Sequence, residues 1–210
     1  MTSPAAPGST GSSRRRFLRG TALVAVPSAV GGVLGAAPSA RAGSPGNPPA
    51  RTECWEGDWP PRLRAAVADA MPVAVRHART ARWPFGAALV DPADGSVVMG
   101  AGNSSEGGDL TAHAEVSLLR KAAAAGIPLR SYVVVSTAEP CPMCAGALLW
   151  SEVRGVAYGT SIAHLVSRGF PQIQVPCGEI VARSTLPRRP SLAHHIRTDL
   201  TDPLYRTVPR

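Results

Sequence analysis

The 210-residue sequence predicts an α/β fold: a three-layer α/β/α domain with helices on both faces of a mixed β-sheet. Three observations predict it. Apolar runs of strand length alternate with stretches of helical periodicity between residues 63 and 168. The run Tyr132-Val133-Val134-Val135-Ser136 is continuously apolar, as strands covered on both faces are. Two strand-like runs, 85–90 and 97–101, flank the turn sequence Pro92-Ala93-Asp94-Gly95 and so read as a hairpin.

The elements follow in order. Over residues 61–82, Leu63, Val67, Ala70, Ala74 and Ala78 recur at helical spacing. Pro72 falls inside that stretch and is expected to kink it or split it into two short turns. The hairpin comes next, then a loop over 103–108. Asp109 or Thr111 is positioned to cap a helix that runs to about Ala125 and stops at Gly126-Ile127-Pro128. The strand at 132–136 leads into a helix over 140–150, a strand over 153–158 and a short helix over 162–168. Beyond Gly169 the periodicity weakens. Residues 185–210, rich in Arg and Pro, read as a tail packed on the surface of the domain. No internal repeat is present, and the length suits one domain with a real core.

Residues 1–42 have a different character. Ser13-Arg14-Arg15-Arg16-Phe17-Leu18-Arg19 resembles a twin-arginine export signal, and a mild apolar stretch follows it. That stretch is too short and too glycine-rich for a membrane span, so no stable membrane insertion is expected after cleavage. Ala40-Arg41-Ala42 is a small-x-small cleavage pattern, placing the mature start near Gly43. The resulting organisation is a signal over 1–42, a Gly/Pro-rich arm over 43–61, a domain over 62–184 and the tail over 185–210. The expected location is secreted or cell-envelope. Export of an already folded chain would allow a metal to be loaded first, protecting thiolates from an oxidising compartment.

The formal charge is +8, which at first suggests nucleic acid. Five arginines lie within residues 1–42, where there is no acidic residue; setting them aside leaves +3. That excess is too small to point to a polyanion partner.

The chemistry is concentrated in His113-Ala114-Glu115 and Pro140-Cys141-Pro142-Met143-Cys144. Cys141 and Cys144 stand at i and i+3 where a strand gives way to a helix, so both sulfurs face one side. Pro142 suits the first helical position and makes Cys141 a cap residue. The positive end of that helix favours thiolate over thiol. His113 completes a three-ligand zinc site whose fourth position no nearby residue fills, the catalytic rather than the structural arrangement. Glu115, two residues from His113, is badly spaced for the same ion. It is well placed to handle the protons of a water bound there. Three other readings compete: a C-x-x-C redox pair, a structural zinc closed by His77, His164 or Cys177, and two core cysteines. Cys54 and Cys177 lie outside the motif, and an exported protein could join them in a disulfide pinning the arm to the body.

These residues, with Pro84-Phe85-Gly86-Ala87, Asn103, Thr111-Ala112 and Glu139 through Ala147, resemble the cytidine deaminase-like superfamily. The similarity is to its bacterial guanine deaminases, nucleoside deaminases and tRNA-editing adenosine deaminases. The resemblance implies a five-stranded mixed sheet, Zn²⁺ as cofactor and a homodimer or larger assembly. It implies that His113, Cys141 and Cys144 hold the metal. Water activated by zinc would attack the amino-bearing carbon while Glu115 shuttles protons. Asn103 and the backbone N–H of Ala114 take the places of groups that contact the base, and Trp150 that of an aromatic beside it in some members. The expected activity is hydrolytic deamination of a small free base or nucleoside. One alternative is tRNA adenosine deamination, and a non-enzymatic secreted zinc or redox protein is a further one. Gly169-Phe170-Pro171-Gln172-Ile173-Gln174 departs from the acidic loop of guanine deaminases, which leaves the preferred base open.

Overall fold

The computed structural model describes residues 59–209. The export signal, the arm to residue 58 and Cys54, with its expected pairing to Cys177, lie outside the described residues. The five strands are β1 (Gly86–Val90), β2 (Val97–Gly102), β3 (Val133–Ala138), β4 (Gly155–Thr160) and β5 (Ser191–Ala193). They lie in the order β2-β1-β3-β4-β5. β1 pairs antiparallel with both β2 and β3, whereas β3, β4 and β5 run parallel, so the sheet is mixed as expected.

The pleat sends alternate side chains to opposite faces and so builds the three layers. Ala88, Val90, Val133, Val135 and Ala157 point toward α1 (Pro61–Thr80), meeting Leu63, Val67, Ala70, Met71 and Ala74. Ala87, Leu89, Val134 and Val156 point the other way, toward α2 (Ala114–Ala124) and α3 (Pro142–Trp150), where Ala114, Leu118, Ala122 and Leu148 lie. Gly86 permits the close approach on the first face. A Cβ there would stand 2.0 Å from the carbonyl oxygen of Ala74.

Two local expectations are corrected. Pro72 does not divide the first helix, which runs unbroken from Pro61 to Thr80. An interior proline costs about 3 kcal/mol. Here buried residues stand on both sides of it, Leu63, Val67 and Ala70 before and Ala74, Val75 and Ala78 after, and their packing holds the two halves in line. Neither Asp109 nor Thr111 caps α2. The N-cap is His113, and Asp109 Oδ1 instead accepts from the N–H and hydroxyl of Thr111 at 3.0 and 2.5 Å.

Beyond Gly169 the chain is more ordered than its periodicity suggests. α4 (Ile162–Ser167) is followed by α5 (Cys177–Ala182), β5, the short helix α6 (Thr198–Thr201) and a 3-10 turn over Asp202–Tyr205. Residues 185–210 thus contribute the edge strand, and Thr201 and Tyr205 are fully buried. Three residues are too few for β5 to leave a period-2 signature. Among the described residues, no helix is long and apolar enough to cross a membrane.

Candidate metal centre and active-site cavity

Two helix N-termini converge on the site. Cys141 is the N-cap of α3 with Pro142 behind it, and His113 is the N-cap of α2. Both caps have extended backbone, with φ −62° and ψ 165° and 161° respectively, which turns each side chain away from its helix. Cys144, one turn into α3, is fully buried. Nδ1 of His113 lies 3.6 Å from Sγ of both Cys141 and Cys144. Zinc bound tetrahedrally at about 2.3 Å to sulfur and about 2.0 Å to nitrogen requires ligand separations of about 3.6 Å, so the donor set and its spacing fit that ion. All three donor atoms lie within 4.8 Å of one another. Among the described residues, His77, His164 and Cys177 do not join this group, which removes the closed structural site considered above. Cys141 and Cys144 are free thiols.

The electrostatics follow from the same geometry. The hydrogen bond from Cys144, and then that from His113, draws the Cys141 thiol down to about 4. The bond to Cys141 in turn raises His113. Glu115 lies in the first turn of α2 but outside the ligand triad. It is buried, and burial is the main cause that lifts its carboxyl above the usual range. Its Oε1 accepts from the hydroxyl of Ser136, on β3, at 3.0 Å. A carboxylate so raised and held is suited to taking and returning a proton.

Glu115, His113 and Cys141 open onto a cavity of about 230 Å³. Trp83, Phe85 and Phe170 supply flat apolar walls, and Leu110, Pro171 and Gln172 also line it. Asn103 and Ser105 add polar groups, and among the described residues lining it there is no Lys or Arg. The volume is below the roughly 300 Å³ at which drug-sized pockets begin and suits one small ring system. Asn103 is fixed from two sides. Its N–H donates to the carbonyl of Phe85 at 2.9 Å, and its Oδ1 accepts from the N–H and hydroxyl of Ser105 at 3.0 and 2.8 Å. The amide NH₂ is the part left for a ligand. Ala114 is the first residue of α2, where a backbone N–H has no partner within its own helix.

Trp150 is not beside the cavity. It ends α3 with 76% of its surface exposed, and the aromatic walls come from Trp83, Phe85 and Phe170 instead. Sequence reasoning assigned no role to Ser136 or Glu139. The only trace of Ser136 is a polar residue closing an apolar run. Glu139, which also lines the cavity, accepts from the N–H of Ile162 through Oε2 and from that of Cys177 through Oε1, both at 2.9 Å. It thereby ties the first residues of α4 and α5 to the end of β3.

Comparison with known proteins agrees with this geometry. Residues 63–160 match the family described as the cytidine and deoxycytidylate deaminase zinc-binding region. Guanine deaminase of Bacillus subtilis is 37% identical over 90 residues, covering 41% of this chain and 56% of that protein. The tRNA-specific adenosine deaminase of Haemophilus influenzae is 40% identical over 80 residues, covering 37% and 46%. The chain therefore spans about half the length of these curated relatives. In fold, guanine deaminase from Nitrosomonas europaea superposes with a TM-score of 0.56 at 24% identity, over 71% of this chain and 92% of that one. Together with the five-stranded mixed sheet, the three zinc donors and the buried glutamate of one cavity, the match makes residues 63–160 a cytidine and deoxycytidylate deaminase zinc-binding domain.

Proposed function

We propose that the protein is a hydrolytic deaminase of a free nucleobase or nucleoside, replacing an exocyclic amine by a carbonyl oxygen and releasing ammonia. The observation that carries this is the placement of Glu115. Its buried carboxylate is fixed by Ser136 at the ligand triad, and it opens into an aromatic-walled cavity the size of one base. Zinc, when bound, supplies Lewis acidity toward a water molecule. Glu115 accepts one proton of that water and passes it to a ring nitrogen, then takes the second from the hydroxyl left on the attacked carbon and gives it to the departing amine. Trp83, Phe85 and Phe170 hold the ring flat and exclude solvent, while the amide NH₂ of Asn103 donates to an acceptor on its edge. With no Lys or Arg among the described lining residues, the cavity offers no cationic side chain to a phosphate, which favours base or nucleoside over nucleotide.

The test is ammonia release from guanine, adenine, cytosine, their nucleosides and a tRNA anticodon stem-loop, with a chelator control. Release from a base or nucleoside that the chelator abolishes is the expected result. Zinc-loaded protein inert on all of them overturns the proposal. Release from the stem-loop alone would establish the second reading, which the likeness to a tRNA-specific adenosine deaminase favours and the charge of +3 beyond residue 42 opposes.

We also propose a homodimer and export. The outer side of α3 supports the first. Met143 and Trp150 are 37% and 76% exposed, and a Cβ on Gly146 would meet nothing within 4 Å, so an apolar strip is open to a second copy. The arginine motif at 14–16 supports the second, and replacing Arg14 and Arg15 by Lys should retain the protein inside the cell.

A further inference from the structure

The walls of the cavity are themselves held in place, and the support comes from the C-terminal segment. Tyr205 is fully buried, with its ring centroid 5.2 Å from that of Phe85 and 5.5 Å from that of Phe170. Phe85 and Phe170 meet edge to face at 6.0 Å, so the three rings form one cluster, two of which face the cavity. The phenol O–H donates to Oγ1 of Thr137 at 2.8 Å, and the N–H of Gly86 reaches that same oxygen at 3.0 Å. Tyr205 is thus tied to the residue after Phe85 through Thr137 and to Phe85 itself through its ring. The carbonyl of Phe85 accepts the N–H of Asn103, so the ring wall and the amide share a backbone. The segment cannot drift readily. Thr160 Oγ1 contacts Thr201 Oγ1 at 2.9 Å and Asp202 Oδ1 at 2.6 Å, and a Cβ on Gly159 would stand 2.4 Å from Thr201.

We propose that Tyr205 is a positioning residue for substrate recognition, setting the aromatic wall of Phe85 and Phe170 against which a flat heteroaromatic ring packs. The inference rests on the base-deaminase reading above. It adds a recognition element from outside the family-matched stretch of 63–160, one that touches neither the ring nor the metal ligands. A wall set from behind acts on ground-state and transition-state binding alike, so its loss raises KM and spares kcat.

The experiment compares Tyr205→Phe, Tyr205→Leu and Thr201→Val in the full-length zinc-loaded protein. The readouts are kcat and KM on whichever base is turned over, zinc content, and calorimetric binding of guanine, adenine and cytosine. Tyr205→Phe loses only the bond to Thr137 and should raise KM about two- to fivefold. Tyr205→Leu loses the ring contacts as well and should raise KM about tenfold or more, with kcat within about threefold of wild type and zinc stoichiometric. Thr201→Val removes one contact of Thr160 but leaves its bond to Asp202 and the Tyr205 ring cluster in place, so it should lower thermal stability with KM unchanged. Should Tyr205→Leu fail to fold, Tyr205→Phe decides alone. A wild-type KM in Tyr205→Phe, or the same KM rise in Thr201→Val, overturns the proposal. If wild type binds a base without releasing ammonia and the Tyr205 variants bind it more weakly, this inference stands and the deaminase reading falls. Turnover with unshifted KM in the variants has the opposite meaning, and wild-type protein that neither binds nor turns over any base overturns both.

Discussion

Replacing Glu139 by Gln removes almost no volume and yet should unfold the protein at a markedly lower temperature. The two carboxylate oxygens each accept one backbone N–H at 2.9 Å, from Ile162 at the start of α4 and from Cys177 at the start of α5. Neither N–H has an acceptor within its own helix. A glutamine has one oxygen and one NH₂, so whichever way it turns, a donor faces a donor. The charge-assisted bond that is lost contributes about 1.5–3 kcal/mol, and the buried N–H left unmatched costs about 1–3 kcal/mol more. Together these come to about 2.5–6 kcal/mol, a third or more of the stability of many domains. For a domain of this size, each kcal/mol moves Tm by about 2–4 °C, so a fall of about 10 °C is expected. Circular dichroism melting of the zinc-loaded variant at pH 7 measures it. Because α5 follows the loop that carries Phe170, Pro171 and Gln172 into the cavity, KM should rise as well. A Tm within about 2 °C of wild type would refute the reasoning, since both N–H groups would then have found other acceptors.

Glu115→Ala should bind zinc at wild-type stoichiometry while turnover falls by about 10²–10⁴-fold, as measured by metal analysis alongside ammonia release. Cys144→Ser removes a buried thiolate donor and should abolish stable zinc binding, seen as metal-free protein after gel filtration; a chelator should do the same to wild type. Stability should fall as pH rises above about 9. Burial pushes the Cys177 thiol from 9.0 up to about 12 and also raises Tyr158 and Tyr205, so between those limits the folded state keeps protons that the unfolded chain releases. Urea unfolding at pH 8, 10 and 11 should show a progressive loss, and a flat profile would contradict the assignment of these groups as buried and protonated.

The ligand set was legible from the sequence because each of its parts is local. A proline-flanked C-x-x-C puts two sulfurs on one turn of helix wherever that helix lies, and a glutamate two residues from a histidine is turned away from the histidine's metal. Strand runs such as 132–136 announce their own burial through composition. The assignments that failed depended on neighbours distant in the chain. Pro72 stays helical because packing on both sides outweighs its local cost. Trp150, an aromatic at a plausible place, projects to the surface, while Trp83 and Phe85 from the loop before β1 and Phe170 from the loop after α4 converge to wall the cavity. The Arg- and Pro-rich stretch over 185–210 contributes β5 and the buried Tyr205 although it carries almost no periodic signal. Spacing along a helix or strand fixes geometry over a few residues, so the sequence by itself determined the metal donors, the glutamate set apart from them and the layered class. The shape of the cavity was decided only in the tertiary structure. It is bounded by side chains whose proximity arises from sheet order and long-range packing, which no short pattern encodes.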